Sequence, residues 1–240
     1  MTASPISFLE VAEALETMHG QRHWHWWPDA EPFEVCVGAI LVQNTMWSNV
    51  ERALARLRDA NVLTPSALAA IDLPDLEELI RPSGQFRQKA LKLRAFLELI
   101  RRSGSLEALL SLPAEKLREQ LLQTFGIGPE TADCILLYAA RQPAVIADAY
   151  LARLFTRLGI VAAGVHAYTR WQAWVESEIE CAGPLLVASR GSRRDFQARF
   201  HAEVVLHCKH LCTKRAPKCG ECLLLPRCPG SPDHAAAVGG

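Results

Sequence analysis

Residues 114–141 read AEKLREQLLQTFGIGPETADCILLYAAR, and the fold turns on this stretch. An amphipathic helix over 114–123 runs into Phe125-Gly126-Ile127-Gly128-Pro129, and a second helix follows over 130–140. Proline suits a first helical turn, and the glycines permit positive φ and close backbone approach. Successive exposed N–H groups at such a turn, backed by a helix N-terminus, make an anion site. A nucleic-acid phosphate fits there without any reading of bases. The bland reading is an ordinary helix–helix turn, and Gly-x-Gly alone favours it.

Outward from the hairpin the helical period recurs. Phe8, Val11, Ala12 and Leu15 form one stripe, Val35, Ala39, Ile40 and Val42 begin a buried helix, and Val50, Leu54 and Leu57 follow. Further helices are expected over 73–81, 87–102, 149–158, 165–180 and 195–207, with breakers including Pro65, Pro82-Ser83-Gly84, Gly159 and Gly183-Pro184. Strand alternation and hairpin-turn dipeptides are missing, so the expected class is all-α. The chain has 240 residues, half of them hydrophobic, with 26 Lys+Arg against 26 Asp+Glu. No global field pulls it onto polyanions, so any nucleic-acid affinity must be local. No apolar run is long enough to span a bilayer, and the N-terminus lacks a secretory pattern. A cytoplasmic protein, nucleoid-associated in a bacterium, is expected, with a disordered tail over 231–240.

Twenty residues beyond Gly128, Val145-Ile146-Ala147-Asp148 leads into a helix with Asp148 at its N-cap. Most such residues only cap. Near the C-terminus stands Cys212-x6-Cys219-x2-Cys222-x5-Cys228. Four thiolates so spaced can surround one centre. Structural zinc, a four-iron cluster and a disulfide-stapled tail are all open on residue type, although only Cys219 and Cys222 form the close pair typical of zinc loops. Cys36, Cys134 and Cys181 are read as inert core residues and Cys208 as a neighbour of the cysteine loop.

Taken together, the hairpin, the aspartate and the cysteine spacing resemble the helix-hairpin-helix superfamily of DNA glycosylases, in its endonuclease III branch. Gln43 in LVQNT, Ser83-Gly84-Gln85-Phe86 before Lys89-Ala90, and Phe200-His201-Ala202 before His207-Cys208-Lys209 extend the likeness over about 30–230. The resemblance implies two helical lobes with a DNA cleft between them. One is a six-helix barrel, 33–141, ending in the hairpin at 114–141. The other, 1–32 with 142–230, carries a [4Fe–4S] cluster in the loop 208–229, held by Cys212, Cys219, Cys222 and Cys228. Asp148 becomes the catalytic carboxylate. Gln43 fills the gap left by an extruded nucleotide, and Gln85 or Phe86 presses on the opposite strand. Gly126, Gly128, Lys209, Lys214 and Arg215 hold the DNA backbone, and Arg190, Arg193, Arg194, Arg199 and Lys218 add to that basic run. The partner is double-stranded DNA with a damaged base, and a monomer is expected because one chain supplies every element.

Two departures redirect the function. Bifunctional members have a lysine just past the hairpin glycines, where this chain has Glu130. A carboxylate forms no imine, so the expected enzyme hydrolyses the N-glycosidic bond with water and has weak or absent lyase activity at the abasic site. The second departure is Trp24-His25-Trp26-Trp27-Pro28. With Gln43-Asn44-Thr45 and Trp47 it resembles the 3-methyladenine DNA glycosylase III subgroup, which implies a pocket of Trp26, Trp27, Pro28, Trp47 and Tyr150. Alkylated purines carry positive charge, which aromatic faces attract by about 0.5 to 2 kcal/mol. The rival readings are a glycosylase for oxidised or mismatched pyrimidines with the tryptophans as packing, a catalytically silent DNA-binding or redox paralogue, and a zinc-stapled interaction module.

Overall fold

The structure is a computed structural model describing residues 6–22, 24, 26, 31–160 and 168–231, without the side chains of 183–190. The described residues are helical, with no β-strand among them. They divide into two compact units, 25–144 and 1–24 with 145–240.

In the first unit, α2 (Pro32–Leu41) is the central element, with nearly every side chain buried. Around it lie α3 (Trp47–Asp59), the short α4 (Pro65–Ala70), α5 (Leu73–Ile80), α6 (Phe86–Arg102), α7 (Leu106–Leu110), α8 (Ala114–Leu122) and α9 (Pro129–Cys134). The last runs on through a wide turn at Ile135–Ala139, where Ala140 N–H donates to Ile135 O at 2.9 Å. Val35, Ile40, Leu54, Leu76, Phe96 and Leu137 supply its core. Pro65 is not a break but the first residue of α4, capped by the Thr64 hydroxyl, because the fixed φ of proline suits that position.

The second unit packs α1 (Phe8–His19) against α12 (Arg193–His210), with α10 (Ala149–Arg157) and α11 (Tyr168–Arg190) beside them. Its core is aromatic: Phe8 lies 5.0 Å from Phe200, and Phe155 lies 4.9 Å from Trp174, centroid to centroid. Helix α11 continues through Gly183-Pro184, where a stop was expected; an interior proline forfeits one helical hydrogen bond without necessarily ending the helix. Its buried positions Trp171, Val175 and Ile179 form the inward stripe. Cys181 falls off that stripe and is exposed, so it is not the core residue expected from sequence. Cys36 and Cys134 are buried as expected. Of the tail over 231–240 only Ser231 is among the described residues, so the expected disorder there lies outside them.

Candidate nucleic-acid and catalytic site

The hairpin is built from local chemistry. Helix α8 ends at Leu122, Ile127 N–H donates to Thr124 O at 3.1 Å, and Gly126 takes φ +80°, the left-handed region that favours glycine. A Cβ on Gly126 would stand 2.2 Å from Lys92 Cγ, so a larger residue would also have to displace the Lys92 stem. Gly128 is the N-cap of α9, with Pro129 at its first position and Glu130 exposed in the first turn. The two hairpin helices are tied by Arg118, whose Nε and Nη2 donate to the two oxygens of buried Asp133 at 2.7 and 3.1 Å.

Gln43 lies just past α2 and reaches the hairpin. Its Nε2 donates to Gly126 O and Thr131 Oγ1, both at 3.0 Å, and its Oε1 accepts from Lys92 Nζ at 2.5 Å. The 83–86 loop is held from beneath by Lys89, which is 1% exposed and donates from Nζ to Leu41 O at 2.8 Å and Ser83 O at 2.6 Å. Burial, with the neighbouring Lys92 charge, pushes the Lys89 amine down to about 8. Above it Gln85 is exposed at φ +45°, a left-handed conformation unfavourable for glutamine. Phe86 is half-buried, with the Arg81 guanidinium 4.7 Å above its ring.

In the same unit Trp26 is buried, 5.2 Å edge-on from Trp47 and 5.4 Å from Tyr138. Gly38 makes room for the pair, since a Cβ there would meet Trp47 at 3.3 Å and the Trp26 indole at 3.4 Å. Tyr138 and Gly38 were not anticipated. Trp27 and Pro28 lie outside the described residues.

In the other unit Asp148 is buried at the head of α10. Its Oδ1 accepts from Tyr150 N–H at 3.0 Å and Leu151 N–H at 2.8 Å, which caps the helix and fixes the carboxylate. Its Oδ2 turns toward His201 Nε2 of α12, 3.6 Å away. That distance exceeds a hydrogen bond. Trp24 in turn sets its ring edge-on to His201 at 5.9 Å. Tyr150 is half-buried, and burial, then the Asp148 charge, raises its phenol above the ordinary range.

Cys212, Cys219, Cys222 and Cys228 line one cavity of about 30 Å³, walled by leucines including Leu154 and Leu224. Arg157 Nη1 donates to Cys212 Sγ at 3.1 Å, and His207 Nε2 stands 3.7 Å from Cys222 Sγ. A hydrogen bond from Cys208, then those from His207 and Arg157, lowers the Cys212 thiol below the ordinary thiol range. The other face of His207 meets buried His19, Nδ1 to Nε2 at 3.1 Å; burial, then the His207 charge, holds the His19 imidazole down at about 4. Among the described residues no three His, Cys, Asp or Glu side chains converge tightly enough for a single metal ion.

The basic run is only partly available. Arg193 pairs with Glu176, and Arg194 with Asp195 at 3.1 Å. Arg199, Lys209, Lys214, Arg215 and Lys218 are exposed, and the side chain of Arg190 is outside the described residues.

The chain is similar to known proteins over most of its length. A protein of Methanocaldococcus jannaschii named "Putative DNA repair glycosylase MJ1434" is 34% identical over 211 residues, covering 86% of this chain and 89% of its own. Endonuclease III of Thermotoga maritima is 28% identical, covering 83% and 84%. Among solved structures, the H. pylori 3-methyladenine DNA glycosylase MagIII bound to 1,N6-ethenoadenine superposes with a TM-score of 0.75 at 28% identity, covering 85% of this chain and 98% of that one. A non-covalent endonuclease III–DNA complex shares the fold, with a TM-score of 0.74 at 22% identity and 92% of each chain covered. The family model described as HhH-GPD superfamily base excision DNA repair protein matches residues 37–175, more than half of the chain, and the chain therefore belongs to that superfamily.

Proposed function

We propose that this base excision repair protein is a monofunctional DNA glycosylase that removes alkylated purines such as 3-methyladenine from double-stranded DNA. The carrying observation is Asp148, a buried carboxylate fixed by two backbone N–H groups through one oxygen and leaving the other toward His201. A base in a duplex must be flipped out, which costs a few kcal/mol and least for damaged bases. Breaking its bond to the sugar develops positive charge that a fixed carboxylate stabilises, and the same group can orient water. Trp26 and Trp47 supply the aromatic faces, a role supported by the likeness to an enzyme seen with 1,N6-ethenoadenine. Glu130 at the lysine position supports hydrolysis without an imine. Cys212, Cys219, Cys222 and Cys228 suit a [4Fe–4S] cluster: the four thiols share one apolar cavity, and the Arg157 guanidinium donates to the Cys212 sulfur. When bound, the cluster cross-links the loop through four iron–thiolate bonds.

Purified protein and Asp148→Asn are incubated with methylated DNA and with DNA bearing oxidised pyrimidines, and free bases are separated. The expected result is 3-methyladenine release by the parent, lost at least ~100-fold in the variant, with strand breaks only after alkali and no borohydride-trapped adduct. A trapped adduct would overturn the monofunctional reading. Release of oxidised pyrimidines instead favours the second reading, which the buried, packed Trp26 and the endonuclease III relatives support. No release from either DNA defeats both.

A further inference from the structure

Gln43 is the residue assigned to the gap left by a flipped nucleotide, and the inference rests on that assignment. Its amide is committed on both sides. An ammonium has no acceptor, so Lys92 can face only the amide oxygen, and the NH₂ is thereby turned to Gly126 O and Thr131 Oγ1. Lys92 also lays its stem across Gly126, closely enough that a Cβ there would force the stem to move. Among the described residues no carboxylate pairs with this lysine. Its charge-assisted bond to Gln43 is the one directed interaction its ammonium makes among them. One lysine on α6 thus joins the Gln43 loop to the hairpin, two segments 83 positions apart in sequence.

We propose that Lys92 is a positioning residue: it sets the orientation of the Gln43 amide and locks the Gln43 loop to the hairpin, so that the two meet DNA as one piece. It contacts neither base nor sugar, and it acts through Gln43.

The test uses the full chain and a duplex carrying a tetrahydrofuran abasic-site analogue, so that the lesion's identity does not enter. Affinities of the parent, Lys92→Met, Lys92→Arg, Gln43→Ala and the Lys92→Met/Gln43→Ala double variant are measured over a range of salt. Thermal unfolding checks that each is folded. Methionine keeps the stem over Gly126 and removes only the ammonium. Expected are a loss of about five- to tenfold for Lys92→Met, substantial rescue by arginine, and a double variant no weaker than Gln43→Ala. The salt slope should be unchanged, whereas a phosphate-contacting lysine lowers it by about one. Parent-like binding by Lys92→Met beside a weakened Gln43→Ala overturns the role of Lys92. So does a Lys92→Met loss of equal size in the Gln43→Ala background, or a reduced salt slope. A Gln43→Ala variant that binds like the parent instead overturns the reading of Gln43, and the inference with it.

Discussion

Lys89 carries a positive charge to a place where only two carbonyl oxygens receive it. A neutral amine retains two N–H groups, so both bonds survive deprotonation. In the unfolded chain the amine titrates near 10.5 and in the fold near 8. Between those values the unfolded state holds a proton that the folded state has released, so stability rises with pH across that window; below about 8 the full burden of the buried charge is present. Near pH 10, where the burden of the buried charge is largely gone, Lys89→Met should cost about 1–3 kcal/mol, because the Leu41 and Ser83 carbonyls lose their donor, and the cost should shrink toward pH 7 as the substitution also relieves that burden. Its urea-unfolding free energy should lack the parent's rise between pH 8 and 10. Nearby Gln85 illustrates the opposite trade. Its left-handed backbone is strained, so Gln85→Gly should raise stability by about 0.5–1 kcal/mol while weakening affinity for an abasic-site duplex. A variant that is less stable than the parent would show that the Gln85 side chain contributes packing that outweighs the strain.

At the scale of elements, the hairpin is held by more than its glycines. The Arg118–Asp133 pair bridges α8 and α9 with a bidentate geometry and one fully buried partner. Asp133→Asn removes the charge and misplaces one acceptor, so a loss of about 2–3 kcal/mol is expected from denaturant unfolding. Arg118→Met should cost more, about 3–5 kcal/mol, because it strands a carboxylate that is fully buried, whereas after Asp133→Asn the partly exposed Arg118 can turn to water. Equal costs would mean that water reaches Asp133 when its partner is lost. These contacts span 15 residues and were not anticipated. The glycines and Pro129 were, because a turn's φ requirements and a helix's first position leave marks within five residues. Lys89 and Lys92 left a fainter mark. Lys89 lies on the stripe of α6 shared by Ala90, Leu93, Phe96 and Leu97, and a lysine on an apolar stripe is the signal of a buried cation.

At the scale of the molecule, the neutral net charge confines DNA attraction to local groups, and ion pairs remove Arg193 and Arg194 from the basic run. Among the described residues no helix is long and apolar enough to cross a membrane. The cysteine cavity is walled by α10 and the loop after α12 and belongs wholly to the unit formed by 1–24 and 145–240. Replacing Cys219 and Cys222 by serine should remove iron, sulfide and visible absorption together. Hydrogen exchange should then quicken in α10 and α12, while α2 to α9 keep their protection. Iron content unchanged by the substitutions would defeat the ligand assignment, and a mononuclear zinc content would replace the cluster with a single ion.

What the sequence by itself determined was whatever short-range physics writes into neighbouring residues. The helical period of the apolar positions, the glycine turn before Pro129, the capping place of Asp148 and the cysteine spacing all depend on residues within a few turns of one another. Only the tertiary structure decided which groups those features meet. His201 comes to Asp148 from 53 positions away, Lys92 to Gln43 from 49, and Tyr138 to Trp26 across most of its unit. Chain closure over such distances costs entropy but leaves no periodic trace, and the partners are chosen by packing of the whole core. The length of α11 was settled in the same way, because the burial of Trp171, Val175 and Ile179 anchors a helix that runs on past the local objections of Gly183 and Pro184.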